Sequence, residues 1–168
     1  MRLRIVALIG LVVALATAGA AQTADSLLVE TSTTAMLYDD YFHLGEMALQ
    51  RVTNIYTGEE TYVLRVTMEE GNANVAADDR LMLHLRRNGG TITLRSQHAL
   101  GSDDVSYRRF PDHRLRFITC YYPIDLAALA QIFEHDVNQV IVECNQGLLK
   151  RNTRGVASRL IPLLRELQ

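Results

Sequence analysis

Seven arginines fall between residues 86 and 116: Arg86, Arg87, Arg95, Arg108, Arg109, Arg114 and Arg116. Guanidinium groups take carboxylate, phosphate or sulfate ligands through paired hydrogen bonds. On a pleated strand Arg86 and Arg95 fall on the wet face. Arg114 and Arg116 alternate with Leu115 and Phe117, and extend a cationic stripe if their strand joins the same sheet. Tyr107, Tyr121 and Tyr122 add rings on which a sugar or peptide can stack. The candidate binding residues are therefore Arg86, Arg95, Arg114, Arg116 and Tyr121. The competing reading is a solvated sheet face balanced by acidic loops. Lysine occurs only at Lys150, so the arginine bias marks every basic position and carries little information by itself.

Other chemistries leave less trace. His43, His84, His98, His113 and His135 form no H-x-H, H-x-x-x-H or H-E-x-x-H pattern. Asp112-His113 and His135-Asp136 set acid beside imidazole, but neighbours on a strand point to opposite faces. The acid pairs Asp39-Asp40, Glu59-Glu60, Glu69-Glu70, Asp78-Asp79 and Asp103-Asp104 read as loop tips. There is no G-x-S-x-G elbow, P-loop or G-x-G-x-x-G cradle. No catalytic residue, metal ligand or cofactor is assigned.

The elements that would position these residues are mostly strands. Tyr62, Leu64, Val66 and Met68 alternate with Val63, Arg65 and Thr67, and a preceding strand spans 49–56. Residues 69–79 read as a polar loop. Leu81, Leu83 and Leu85 alternate with Met82, His84 and Arg86, and Ile92 and Leu94 follow the Asn88-Gly89-Gly90 turn. A primed turn centred on Asn88-Gly89 sets Leu85 against Ile92; one centred on Gly89-Gly90 sets Leu85 against Leu94. Another strand ends near Tyr122. Asp125 is a good N-cap for a helix over 126–134, with Ile124 and Leu129 as its hydrophobic staple. A strand over 137–144 and a last helix over 153–167, with Pro162 inside it, complete the chain. The expected fold class is α+β: a mainly antiparallel twisted sheet, a meander, then helix-strand-helix, with helices covering one face.

The strands around Leu115–Tyr122 and Val137–Cys144 flank a helix, so as neighbours they would be parallel. Cys120 and Cys144 sit near their C-terminal ends. Both a disulfide between them and two buried reduced thiols fit that placement.

Tyr121-Tyr122-Pro123-Ile124-Asp125, then Leu126, Leu129 and Ile132, lead into Val140-Ile141-Val142 and a closing helix from Ala157 to Leu164. Over about these C-terminal 50 residues the chain resembles a group of uncharacterised exported bacterial α+β domains. The resemblance implies a fold and a compartment, and no activity.

The first residues carry their own signal. Arg2 and Arg4 precede an apolar run from Ile5 to Ala16, and Ala18-Gly19-Ala20 matches a cleavage site. Residues 1–20 read as a signal peptide and 21–168 as one domain. Removal leaves 148 residues, with 15 basic against 19 acidic groups and a net charge of −4. That charge argues against nucleic acid as a partner. No cysteine stands near the cleavage site for lipid attachment, and no later stretch has the length of a membrane span. The chain reads as an exported soluble domain, periplasmic or secreted and not a lipoprotein. Its expected role is a non-catalytic binding module whose partner is another envelope protein or an anionic or glycan ligand. The alternatives are an assembly component that uses an edge strand, and a small hydrolase with a site built from dispersed loop residues.

Overall fold

The computed structural model describes residues 27–38, 43–109, 111–112 and 114–164. The expected signal peptide and its cleavage site lie outside these residues. Ten strands run in chain order: β1 (Leu27–Thr31), β2 (Ala35–Tyr38), β3 (His43–Asn54), β4 (Glu60–Glu69), β5 (Arg80–Leu85), β6 (Thr91–Arg95), β7 (Val105–Arg109), β8 (Arg114–Ile124), β9 (Val137–Cys144) and β10 (Gly147–Thr153). Two helices, α1 (Leu126–His135) and α2 (Val156–Leu164), follow β8 and β10.

All strand pairs are antiparallel, in the order β6-β5-β9-β10-β2-β3-β4-β8-β7. β1 and β2 share one edge of the long β3: β2 pairs with its first half and β1 with its second. The sheet curls until β6 comes beside β8, its far neighbour around the curl, without hydrogen-bonding to it. Alternating positions turn inward and form one core. Leu37, Met47, Leu49, Leu64, Met68, Leu81, Leu83, Ile118 and Tyr122 are fully buried there.

Two plugs close the curl. At the end where β8 stops and β9 begins, Leu129 and Ile132 of α1 and Val156 and Leu160 of α2 enter the core. At the other end, the loop between β4 and β5 inserts Ala73 and Val75, both buried. The sequence marks residues 69–79 as polar; of its four small apolar residues, Ala73 and Val75 turn inward while Ala76 and Ala77 stay exposed.

The α+β expectation is corrected. Strand makes up 55% of the structure and helix 16%, so the sheet dominates rather than sharing the fold with a covering helical layer. The parallel adjacency is corrected too. β8 pairs with β4 and β7, while β9 pairs with β5 and β10, so α1 connects strands that are not neighbours. β10 carries no strand pattern in the sequence. Its polar Lys150, Arg151 and Asn152 resemble a loop, yet the strand sits between β9 and β2.

The N-cap expected at the start of α1 forms. Asp125 adopts extended backbone and its carboxylate accepts the Ala128 N–H at 2.7 Å, as a helix N-cap does. The β5–β6 turn shows a shift. Its two centre residues are Arg87 (φ 51°) and Asn88 (φ 59°), closed by Gly89 N–H donating to Arg86 O at 3.0 Å. Leu83 therefore faces Ile92, Leu81 faces Leu94 and His84 faces Thr91. Neither register expected from Asn88-Gly89-Gly90 forms. Gly89 is needed for space instead: a Cβ there would lie 2.5 Å from Cγ of His135, the last residue of α1. The primed turn forms one residue earlier, at the cost of positive φ on an arginine.

Candidate functional site

The five residues singled out in the sequence do not converge. Arg86 is a clasp. Its backbone N–H donates to Asp136 O at 3.0 Å, its Nη2 donates to Thr153 O at 2.9 Å, and its Nε stands 3.6 Å from the Asp136 carboxylate. Asp136 itself follows α1 in a left-handed backbone (φ 57°). Its carboxylate accepts from Gly155 N–H at 3.2 Å and Ala157 N–H at 3.0 Å, which caps the start of α2 from a distant segment. Arg86 thus ties the β5 end, both helices and the β10 end together.

Arg116 is also consumed by the fold. It points inward from β8, and its Nη1 donates to Glu70 O at 3.0 Å and Ala73 O at 2.8 Å. Arg151 of β10 joins it by an ion pair to the Glu70 carboxylate. The side chains of Arg151 and Glu70 are 14% and 15% exposed. Burial pushes the Glu70 carboxyl above its ordinary range, with Arg151 opposing and Glu69 adding to the shift. Two arginines therefore bolt the plug loop in place.

Tyr121 lies half-buried on the outer face of β8. Its ring stacks on His98 at 5.9 Å between centroids, and His98 Nε2 stands 3.5 Å from Asp104 Oδ2. Burial raises the Tyr121 hydroxyl, Asp104 adds to this, and Arg65 opposes it. His98 and Asp104 are six residues apart, so no spacing pattern in the sequence announces the pair. His98 Nδ1 is buried and has no hydrogen-bond partner. Among the described residues no group of three His, Cys, Asp or Glu is arranged to hold a metal ion.

Cys120 and Cys144 are separate buried thiols, and the parallel adjacency on which a bridge would have rested is absent. Burial pushes the Cys120 thiol up to about 12, with the neighbouring Tyr122 hydroxyl opposing. The Cys144 thiol donates to Gly147 O at 3.4 Å.

Arg108, Arg109 and Arg114 gather at β7 and the first half of β8, the outermost hairpin of the sheet. In this pairing Tyr107 stands opposite Arg116 and Arg109 opposite Arg114, so Tyr107, Arg109 and Arg114 share one face. The Arg114 guanidinium lies 3.7 Å above the centroid of the Tyr107 ring. On the other face, Arg108 lies 4.7 Å above the Phe117 ring. Such stacking holds a guanidinium flat and leaves its N–H edge open to water. Among the described residues, none of Arg108, Arg109 and Arg114 forms an ion pair with a carboxylate. Tyr107 is 51% exposed. The edge of β7 away from β8 has no strand beside it among the described residues. Of the five candidate residues only Arg114 belongs here. Arg108, Arg109 and Tyr107 were visible as a cluster, but the pairing that puts three of the four groups on one face was not.

Arg95 stands apart, on β6. Its Nη1 donates to Asp78 O at 3.3 Å.

No protein-family model, curated protein or solved structure matches this chain, so the site rests on its geometry alone.

Proposed function

We propose that the protein is an exported, non-catalytic binding module that holds an anionic glycan on its β7–β8 hairpin. The observation that carries this reading is the set of three guanidiniums, Arg108, Arg109 and Arg114, without carboxylate partners among the described residues. Two of them are laid over aromatic rings. Arg109 and Arg114 supply donors for carboxylate, sulfate or phosphate groups, and the exposed side of Tyr107 offers a face to a sugar ring. Export is supported by the charged start, short apolar run and small-residue cleavage site of residues 1–20.

Dextran sulfate tests the reading, with neutral dextran as control. The purified protein is expected to be retained on immobilised dextran sulfate at low salt and released as salt rises, because exposed charges are screened within about 8 Å at physiological ionic strength. The double variant Arg109→Ser/Arg114→Ser is expected to pass through without retention while keeping its thermal midpoint within a few degrees. Equal retention of the double variant, or no retention of the unmodified protein, overturns it.

A further inference from the structure

Arg109 and Arg114 make a particular kind of cross-strand pair. Glu70 N–H donates to Arg116 O at 3.0 Å, so Arg116 turns its backbone groups toward β4. Backbone direction alternates along a strand, so Arg114 turns the same way, and Leu115 and Phe117 bond instead to Arg108 and Ser106 of β7. Arg109 and Arg114 are therefore a non-hydrogen-bonded pair, in which Cα atoms lie about 4.5 Å apart and side chains stand closest. The Arg114 guanidinium is held flat, 3.7 Å above the centroid of the Tyr107 ring. Arg109, two residues beyond Tyr107, rises beside it on the same face.

Like charges directly opposite are unfavourable in a sheet, and an anion set between them relieves the repulsion in proportion to its charge. Shape narrows the anion first. One guanidinium fork takes both oxygens of a carboxylate, whereas a sulfate or phosphate ester has three free oxygens and can accept a fork from each side. Charge narrows it again. A sulfate ester carries a single negative charge, and a phosphomonoester about −1.5 to −2 at neutral pH.

We propose that the Arg109–Arg114 pair selects a phosphomonoester carried on a sugar, with the phosphate set between the two guanidiniums and the sugar ring against the exposed side of Tyr107. Tyr107 is 51% exposed, which leaves that side open. The selectivity rests on the hairpin being the glycan site and names the anionic group that site prefers. Arg108, on the opposite face over Phe117, takes no part in it. Other charged groups surround the pair. Arg116 and Glu70 stand beyond it at the plug loop, and the chain between Arg109 and Arg114 carries Asp112 and His113. Their protonation acts on sulfate and phosphate esters alike, so comparing the two esters separates it from titration of the ligand.

The probes are glucose 6-phosphate, glucose 6-sulfate and inorganic phosphate, titrated at constant ionic strength and followed by the NMR shifts of the arginine Nε–H groups. One further unit charge about 4 Å from a guanidinium is worth about a factor of three in water at about 0.1 M ionic strength. At about pH 7.5 the unmodified protein is therefore expected to bind glucose 6-phosphate about tenfold more tightly than glucose 6-sulfate, a factor of about three from each guanidinium. It should also bind glucose 6-phosphate more tightly than inorganic phosphate, which has no ring to lay on Tyr107. The second proton of a phosphomonoester leaves near pH 6, so at about pH 5 both esters carry one charge and the ratio should fall toward one. Arg109→Ser should lower the ratio at about pH 7.5 to about threefold. Arg95→Ser removes the same charge from a distant strand and should leave the ratio unchanged. The pH comparison needs no variant, so it stands even if Arg109→Ser fails to fold. A ratio near one at about pH 7.5, a ratio unchanged at about pH 5, equal binding of inorganic phosphate and glucose 6-phosphate, or equal ratios in Arg109→Ser and Arg95→Ser each overturns the proposal. A protein retained on dextran sulfate without this ratio loses the selectivity alone; one that is not retained loses the glycan reading as well.

Discussion

Arg114 and Arg116 stand two residues apart on one face of β8, and their surroundings divide them. Arg116 reaches inward beneath the plug loop, where two carbonyls claim its guanidinium. Arg114 lies out on the hairpin over the Tyr107 ring, with its donor edge in water. The difference is position along the strand, not residue type. Where the curl has depth, an arginine is desolvated and must be satisfied by the protein. Where β8 extends past the core alongside β7, it need not be. Clustered arginines therefore mark a binding surface only after those used as bolts have been subtracted.

The contrast breaks first at the bolts. Arg151→Ala leaves the Glu70 carboxylate buried without its partner, and removing one member of a buried pair costs about 3–5 kcal/mol. Urea unfolding should show that loss. The double variant Arg151→Met/Glu70→Leu should recover most of it, since an apolar pair of similar volume carries no desolvation penalty. A double variant as unstable as the single one would mean that the ion pair, and not apolar filling, is what the plug requires. Arg116→Ala should cost about 2 kcal/mol through two charge-assisted bonds to carbonyls. Arg114→Ala should cost about 0.5–1 kcal/mol, the range of an exposed cation–π contact.

Two carboxyls at the plug-loop end should also titrate in opposite senses. The Glu70 carboxyl is raised in the folded state, so between its unfolded pKa near 4.5 and the higher folded value the folded protein binds the extra proton. Its contribution to stability is present at lower pH and is lost as pH rises through that window. The Glu143 carboxyl, bonded to the Arg80 side chain and backbone, is lowered to about 2. Its contribution is present above 4.5 and is lost as pH falls toward 2. Carboxyl NMR titrations should show Glu143 with a midpoint near 2 that returns toward 4.5 in Arg80→Gln. Glu70 should shift further upward in Arg151→Met, because the opposing charge is gone. A Glu70 midpoint at or below 4.5 in the unmodified protein would mean that the Arg151 charge outweighs burial at this carboxyl.

What the sequence revealed and what it hid follow the same division between local and distant causes. The leucine alternation of β5 and the Asp125 cap are local, and both are visible in the residues. The position of the β5–β6 turn was hidden because the space needed at Gly89 is set by His135, 46 residues away. β10 was hidden because its polar run carries an inward arginine whose partner, Glu70, lies in another loop. The α+β expectation failed for a related reason. It took strand, helix and strand as neighbours in space, whereas the chain places β9 between β5 and β10. Of the expected site, Arg114 alone lies in the arginine cluster of the β7–β8 hairpin. Arg86 and Arg116 were indistinguishable from it until their carbonyl partners were known.

The smallest expected effect on stability gives the sharpest reading of the hairpin. Arg109 forms no ion pair with a described residue and stands beside Arg114 across the β7–β8 pair. Two like charges directly opposite are mildly unfavourable in a sheet. Arg109→Ser should therefore leave the unfolding free energy unchanged or raise it slightly, within about 0.5 kcal/mol, as for other surface changes. The same substitution should lower the salt concentration at which the protein leaves dextran sulfate. An unfavourable like-charge pair with no carboxylate partner among the described residues is what the proposed anionic ligand would relieve. A variant that is no less stable yet elutes earlier would show that separation of roles directly. A variant that is clearly destabilised, with elution unchanged, would put Arg109 among the bolts.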